Sequence, residues 1–266
     1  MYLSIPLKLD TCFGSLVYKP SAVKEGPNPM YLEAYGAYEA CCEATFSSPF
    51  VSLLDRGVIF AIAHVRGGGE MGRMWYEDGK FLKKHNTWRD YLACLNHLID
   101  TKVTAKGVVV AEGCSAGGLL IGAMLNEVDE GVLAGCISRV GFVDVLTTMC
   151  DPTIPLTCTE WEEWGNCYED IEYYKYMKGY SPYDNIVQGK QYPPILSTAG
   201  LNDNRVGYWE PCKWVQRLRD ADKNKGINIL YRCLMESGHF AKSGRFQMLE
   251  EKALLFAFVL ECLKIA

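Results

Sequence analysis

Residues 107–125 read GVVVAEGCSAGGLLIGAML, an apolar β-branched run followed by a G-x-S-x-G pattern and a second apolar run. This order is the sequence form of a nucleophile elbow, in which a strand turns sharply into a helix with a serine at the turn. Gly113 and Gly117 permit the turn because neither carries a Cβ that could collide with neighbouring backbone. The stretch therefore predicts an α/β fold, with Ser115 as an exposed nucleophile.

Strand and helix patterns alternate along the rest of the chain. Strands that alternate with helices of ten or more residues form crossover units, so we expect an α/β-hydrolase fold with a mostly parallel central sheet and helices on both faces. Apolar extended runs are found at 15–18, 30–34, 58–65, 107–111, 134–137, 195–199 and 227–233. Apolar residues at helical spacing are found at 87–100, 116–126, 208–220 and 245–263.

The segment 144–181 interrupts this alternation and is rich in Trp, Tyr and Glu. Long connections in compact domains are usually lids or binding loops, so we interpret it as an irregular insertion over the active end of the sheet, partly helical near 169–178. No linker divides the chain, and we expect residues 1–266 to form a single catalytic domain.

Composition restricts the class of protein. The 266 residues are 49% hydrophobic and 22% charged, with a net charge of −5, which is typical of a globular protein and argues against nucleic acid as a partner. The longest apolar stretch, 253–260, is too short to span a bilayer, and no secretory signal is visible. The 12 cysteines are scattered, without a C-x-x-C pair, and we interpret them as small buried hydrophobes. We therefore expect a cytoplasmic protein with no membrane partner.

A serine nucleophile needs a base and an acid, and both follow later strands. Asp203 lies in 200–206 (GLNDNRV), after the apolar run 195–199, and His239 lies in 235–240 (MESGHF), after the run 227–233. The chain order Ser, Asp, His is that of α/β hydrolases. We predict that His239 deprotonates Ser115 and that Asp203 holds the imidazole in the correct tautomer.

The tetrahedral intermediate also needs hydrogen-bond donors for its oxyanion. The backbone N–H of Ala116, next to the nucleophile, is one candidate. Tyr35, in 34–38 (AYGAY) at the end of an early strand, lies where hydrolases place the other donor. From the residues alone, Tyr35 fits this role or that of a packed aromatic equally well.

Three motifs together make the chain resemble the prolyl oligopeptidase family of serine peptidases. They are 63–72 (AHVRGGGEMG) with Trp75-Tyr76, the GCSAGG hexapeptide itself, and 203–206 (DNRV). Within the family, 142–164, 208–211 and 236–240 most resemble the oligopeptidase B group, which cleaves short peptides after Arg or Lys. The resemblance implies that the Tyr35 hydroxyl completes the oxyanion hole and that Arg205 holds a substrate backbone carbonyl.

A basic substrate side chain requires a carboxylate partner in its pocket. Residues 159–164 (TEWEEW) supply acids between indoles, which taken alone would also fit a solvated surface helix. The resemblance implies that Glu160 and Glu162 bind the Arg or Lys before the cut. It also places Glu43 and Thr45 where the family has two acids for a second basic residue, so a preference for paired basic residues is in doubt.

Arg139 departs from the family, whose members have small apolar residues near this position. A guanidinium at the mouth of a cation pocket would oppose a basic side chain. The glycine-rich stretch 66–72 lacks the spacing of a phosphate-binding loop, and His64 and His97 have no partner at metal-ligand spacing. We expect no metal and no organic cofactor.

Family members carry a β-propeller ahead of the hydrolase domain, and no propeller repeat is found in this sequence. We therefore expect short peptides with basic residues as partners, and a separate propeller-bearing polypeptide as a further one. Two alternatives stay open on the sequence: a carboxylesterase with the same three residues, and a truncated or inactive hydrolase-fold module.

Overall fold

The computed structural model describes residues 3–8, 13–226, 228–240 and 245–266. Within these ranges eight strands form one sheet. In chain order they are β1 (Leu3–Lys8), β2 (Phe13–Tyr18), β3 (Met30–Glu33), β4 (Ile59–His64), β5 (Val109–Cys114), β6 (Gly135–Arg139), β7 (Ile195–Gly200) and β8 (Ile229–Leu234). The α-helices are α1 (Val51–Asp55), α2 (Arg73–Glu77), α3 (Asn86–Asp100), α4 (Ala116–Glu127), α5 (Val145–Met149), α6 (Thr157–Trp164), α7 (Ile171–Tyr180), α8 (Trp209–Ala221) and α9 (Arg245–Leu263).

The sheet is mostly parallel. Its strand order is β1-β2-β4-β3-β5-β6-β7-β8, with β1, β2 and β4 paired antiparallel and every neighbouring pair from β4 to β8 parallel. The carboxyl ends of these parallel strands meet at one edge, and in open α/β sheets functional residues collect there.

Helices cover both faces because successive strand residues point to opposite sides. On β5, Val109 and Ala111 belong to a core cluster that contains residues of α3, α4 and α8. Val110 between them belongs to a second cluster, which contains residues of α1 and α9. The predicted α/β-hydrolase architecture is therefore confirmed.

All seven predicted strands and four predicted helices are present, with ends shifted by a few residues. The predicted strand 227–233 begins at a residue outside the described ranges, and its remainder corresponds to β8. The sequence missed β1, α1, α2, α5 and α6. Helices α1, α2 and α5 have five residues each, little more than one turn, which is too short to show helical periodicity.

The segment 144–181 is more regular than the sequence predicted. It contains α5, α6 and α7, of which only α7 corresponds to the predicted helical part. No helix in the described part of the chain is both long and apolar enough to cross a membrane.

Candidate active site

Ser115 lies at the turn between β5 and α4. Its φ of +56° and ψ of −116° place a non-glycine residue in a sparsely populated region, which costs about 1–3 kcal/mol. Backbone hydrogen bonds hold this conformation: the Ser115 N–H donates to the Arg139 carbonyl (2.8 Å), and the Ser115 carbonyl accepts from Gly118 (2.8 Å) and Phe142 (3.0 Å). The serine is thereby held at the carboxyl edge of the sheet.

The glycines of the elbow are required by close backbone contacts. A Cβ on Gly113 would lie 2.1 Å from the Gly117 carbonyl oxygen. A Cβ on Gly117 would lie 2.7 Å from the Ala34 carbonyl oxygen, just after β3. The absence of side chains lets the turn pack directly against the loop that carries Tyr35.

The structure brings Ser115, His239 and Asp203 into contact. His239 Nε2 lies 3.0 Å from Ser115 Oγ, and His239 Nδ1 lies 2.8 Å from Asp203 Oδ2. The three residues follow β5, β8 and β7, as the sequence predicts. This geometry suits an imidazole that donates from Nδ1 to the carboxylate and accepts the serine proton at Nε2.

The Asp203 carboxylate is itself held in place. Its Oδ1 accepts the backbone N–H groups of Arg205 (2.8 Å) and Val206 (2.9 Å). Burial acts to raise the pKa of Asp203, but the hydrogen bonds from His239 and from these two N–H groups outweigh it, and the pKa is lowered. The carboxylate therefore stays ionised beside the imidazole at neutral pH.

A cavity of about 330 Å³ opens beside Ser115. Its walls come from the loop after β3, the elbow, the segment that contains α5 and α6, and the loop after β7. The lining residues are Tyr35, Tyr38, Ser115, Ala116, Phe142, Thr148, Met149, Pro155, Leu156, Thr157, Glu160, Trp164, Arg205 and Val206.

Both predicted oxyanion donors line this cavity. Ala116 is the first residue of α4, and the N–H groups of a first helical turn have no partner within the helix. Burial, with the nearby Cys114, Glu160 and Glu163, raises the pKa of Tyr35 to about 12, against a hydrogen bond with Ser115 that acts to lower it. The phenol therefore keeps its proton and can act as a donor.

Glu160 is the predicted acidic residue that reaches the cavity. Its Oε2 accepts the Tyr38 hydroxyl (2.5 Å) and the Trp164 indole N–H (2.9 Å). Burial, the Glu160 charge and this hydrogen bond raise the pKa of Tyr38 well above its ordinary value, so Tyr38 is the donor. The carboxylate is fixed at the wall of the cavity.

Glu163, which is 3% exposed, is a further residue of this site that the sequence did not predict. Its Oε1 accepts the Tyr38 backbone N–H (3.1 Å), and its Oε2 accepts the Tyr76 hydroxyl (2.7 Å). Helical spacing could have indicated that Glu163 points to the same side as Glu160, because residues three and four apart share a face of a helix. Glu163 and Trp164 share the face of Glu160, whereas Glu162 does not.

Other predicted site residues lie farther from this arrangement. Glu162 and Glu43 are exposed and are not among the lining residues of the cavity. Arg205 does line it, and its guanidinium carbon lies 4.9 Å from the Phe240 ring centroid. Arg139 pairs with Glu112 and lies outside the lining of this cavity, but it lines a neighbouring cavity together with His239.

Among the described residues, no group of three or more His, Cys, Asp or Glu side chains could hold a metal ion.

The fold and these contacts place the protein in the class of α/β hydrolases with a serine, a histidine and an aspartate in hydrogen-bond contact. A sequence model of the prolyl oligopeptidase family matches residues 44–266. The chain therefore belongs to the prolyl oligopeptidase family, a family of serine peptidases, as its motifs predict.

The known proteins that this chain resembles are much longer than the chain itself. The chain is 49% identical over 252 residues to dipeptidyl aminopeptidase BI of Pseudoxanthomonas mexicana, covering 95% of this chain and 34% of that protein. Oligopeptidase B from Leishmania major has a TM-score of 0.93 and 43% identity, covering 99% of this chain and 37% of that chain. Oligopeptidase B from Trypanosoma brucei, with covalently bound antipain, has a TM-score of 0.94 and 46% identity, covering 100% of this chain and 38% of that chain. The chain thus spans about a third of the length of these relatives.

Proposed function

We propose that this chain supplies the catalytic machinery of a serine peptidase of the oligopeptidase B type, which cleaves short peptides after Arg or Lys. The single observation that carries the chemistry is the chain of contacts from Ser115 Oγ to His239 Nε2 (3.0 Å) and from His239 Nδ1 to Asp203 Oδ2 (2.8 Å). Membership of the family and the resemblance to oligopeptidase B support the substrate class.

In the proposed mechanism, His239 Nε2 takes the Ser115 hydroxyl proton as Oγ attacks the carbonyl carbon before the scissile bond. The negative charge that forms on the carbonyl oxygen is met by the Tyr35 hydroxyl and the Ala116 N–H. His239 then gives its proton to the leaving amine, which departs and leaves an acyl-enzyme ester on Ser115. Water attacks this ester with His239 again as the base, and His239 then returns the proton to Ser115 Oγ as the C–O bond breaks and the product acid is released.

Glu160 supports the preference for a basic residue. It is an acidic group among the lining residues of the cavity, beside Ser115. Within the described residues, both hydrogen bonds that Glu160 accepts go to Oε2, so Oε1 is the oxygen that an incoming ammonium or guanidinium would meet. Trp164 forms part of the same wall, and an indole face attracts a cation.

Arg205, Glu162 and Glu43 are also proposed to bind the substrate, but only Arg205 is among the lining residues of the cavity. Arg205, which lines the cavity, would donate to the backbone carbonyl of the preceding substrate residue. Glu162 and Glu43 would act only on parts of a peptide that extend beyond the cavity, because both are exposed and outside its lining.

The test compares wild type with Ser115→Ala on an arginyl peptide anilide and on a short acyl ester without a basic group. Wild type should hydrolyse the arginyl amide, and Ser115→Ala should lose about 10⁴-fold or more in kcat. Ser47→Ala is the matched control, because the Ser47 side chain makes no capping hydrogen bond and lies outside the cavity lining.

Equal rates for wild type and Ser115→Ala would overturn the assignment of the nucleophile. Hydrolysis of the ester alone would instead indicate a carboxylesterase. Labelling by a fluorophosphonate adds a second measurement, since an assembled site should react at Ser115 and an inert module should not.

A further inference from the structure

The loop that carries Tyr35 has an unfavourable backbone. Gly36 has a φ of +74°, and the non-glycine residues Tyr38 and Glu39 have φ values of +59° and +58°. Such conformations cost of order 1–3 kcal/mol each at non-glycine positions and persist only where surrounding contacts hold them. The position of the Tyr35 hydroxyl therefore depends on whatever holds this loop.

One contact that holds the loop comes from Lys84, between the short turn at Phe81–Lys83 and α3. Lys84 is 1% exposed, and its Nζ donates to the Gly36 carbonyl oxygen at 2.5 Å. The same oxygen is packed against Gly67, where a Cβ would lie 2.1 Å from it. A buried carbonyl is costly without a donor, and Lys84 supplies one here.

The same ammonium also contacts the helix that carries Glu160. Lys84 Nζ lies 4.9 Å from the Trp164 ring centroid, and the Trp164 indole N–H donates to Glu160. Burial lowers the pKa of Lys84 to about 8, against the charge of Glu163, which acts to raise it. Most of the Lys84 side chains therefore remain protonated at neutral pH, facing the Gly36 carbonyl, the Trp164 ring and the Glu163 charge.

Glu163 completes the connection between the loop and α6. It accepts the Tyr38 backbone N–H, within the strained part of the loop. One buried cation and one buried carboxylate thus bind two backbone groups of the loop, while neither is among the lining residues of the cavity.

We propose that Lys84 is a positioning residue, which holds the Tyr35 loop and the Glu160-bearing helix α6 in their working arrangement without touching the substrate. This inference rests on the proposed function, because it assigns to Lys84 a role in oxyanion stabilisation and in the preference for a basic residue. Without the ammonium, the Gly36 carbonyl loses its donor and Trp164 loses the cation beside its ring.

The test uses Lys84→Met in the full chain, which removes the charge while keeping a side chain of similar shape. We expect kcat for the neutral ester to fall about 10- to 100-fold, since a displacement of about 1 Å in catalytic geometry can cost 10²-fold. We also expect the ratio of kcat/KM for an arginyl over a neutral substrate to fall. Rates are expressed per active site, titrated with a fluorophosphonate, so that unfolded protein does not count.

The matched control is Thr104→Val. Thr104 is also fully buried and donates to a backbone carbonyl, that of Asn28 (2.8 Å), which precedes β3 at the end opposite to Gly36. The Thr104→Val substitution should lower the thermal unfolding temperature but leave kcat per active site and the substrate preference unchanged.

A double-mutant cycle separates positioning from mere stability. If Lys84 acts through the Tyr35 hydroxyl, Tyr35→Phe should lower kcat about 100-fold, and Lys84→Met should then lower it by less than about 2-fold further. Independent effects that multiply in the double variant would overturn the proposal. So would a Lys84→Met variant whose kcat and substrate preference match those of Thr104→Val.

If Lys84→Met does not fold, Lys84→Gln carries the same cycle, because it also removes the ammonium, and its shorter side chain cannot place a donor where Lys84 Nζ lies. Failure of both variants to fold, with Thr104→Val folded, would assign Lys84 to stability alone and overturn the positioning role. Failure of the proposed function is a separate outcome, seen as unchanged turnover in Ser115→Ala. An inactive Ser115→Ala with a multiplicative cycle would refute only the role of Lys84.

Discussion

Arg139 Nε lies 3.0 Å from Glu112 Oε1, and the Glu112 side chain is 3% exposed. The two residues lie on the neighbouring strands β6 and β5, whereas the cavity beside Ser115 is lined by other residues. The Glu112 charge, above all, raises the pKa of Arg139 further, so the guanidinium stays ionised in this pair. The charge of Arg139 is thus paired with a buried carboxylate of the neighbouring strand.

We therefore expect Arg139→Met to act on stability and not on substrate preference. Removing one partner of a buried ion pair leaves the other charge uncompensated, which typically costs about 3–5 kcal/mol, and Arg139 is partly exposed, so the loss should lie near the lower end. Urea unfolding measures this loss, and the ratio of arginyl to neutral substrate turnover should match wild type. A rise in arginyl preference would show that Arg139 does oppose the substrate charge.

Glu160→Gln is expected to weaken binding of basic substrates. A hydrogen bond to a charged group contributes about 1.5–3 kcal/mol, so KM for an arginyl amide should rise about 10- to 100-fold, with a much smaller change for a neutral ester. The amide oxygen of Gln can still accept from Tyr38 and Trp164, which keeps the wall of the cavity in place.

Glu162→Gln and Glu172→Gln make this test specific. The geometry favours a larger loss for Glu160→Gln than for Glu162→Gln, while equal losses would support the sequence-based expectation that both acids serve the pocket. Glu172, exposed at the start of α7, controls for the change in net charge and should show wild-type kinetics.

Asp203→Asn is expected to lower kcat by about 10⁴-fold with little change in KM, because the amide favours the wrong imidazole tautomer while the geometry is kept. Steady-state kinetics on the arginyl amide measures this. A loss of less than about 10-fold would mean that another group orients His239.

The pH dependence of stability should also change in Asp203→Asn. Hydrogen bonds lower the pKa of Asp203 in the folded protein, so the ionised carboxylate favours folding. This contribution is present above the ordinary aspartate pKa of about 4 and is lost as the pH falls through the lower folded value. Between about pH 5 and pH 3, the free energy of unfolding of wild type should therefore fall more steeply than that of the variant. Equal slopes in urea unfolding would contradict this.

Gly113→Ala should disrupt the elbow. The added Cβ would lie 2.1 Å from the Gly117 carbonyl oxygen, which is backbone and cannot move aside alone. We expect loss of fluorophosphonate labelling at Ser115 together with a lower unfolding temperature. Gly179→Ala in α7 is the control: apart from its chain neighbours and the backbone of its own helix, no atom of the described residues lies within 4 Å of the added Cβ. Alanine should therefore stabilise the helix by about 0.5–1 kcal/mol.

Much of the fold and of the candidate site could be read from local sequence. Apolar periodicity predicted the strands of the parallel sheet and the four longest helices, because each pattern records which face of one element is buried. The G-x-S-x-G pattern and the order of Ser115, Asp203 and His239 were equally local, since each residue lies within about five residues of the end of a recognisable strand.

The arrangement of charges around the cavity depended on contacts between distant segments. Tyr38 and Glu160 are 122 residues apart in the chain, and Lys84 meets Gly36 across 48. The three acids of TEWEEW are close in sequence but lie in different surroundings: Glu160 lines the cavity, Glu162 is exposed and Glu163 is buried. Strand and helix signals are short-range and repeat along the chain, whereas the partner of a buried charge is set by which segments the packed sheet brings together.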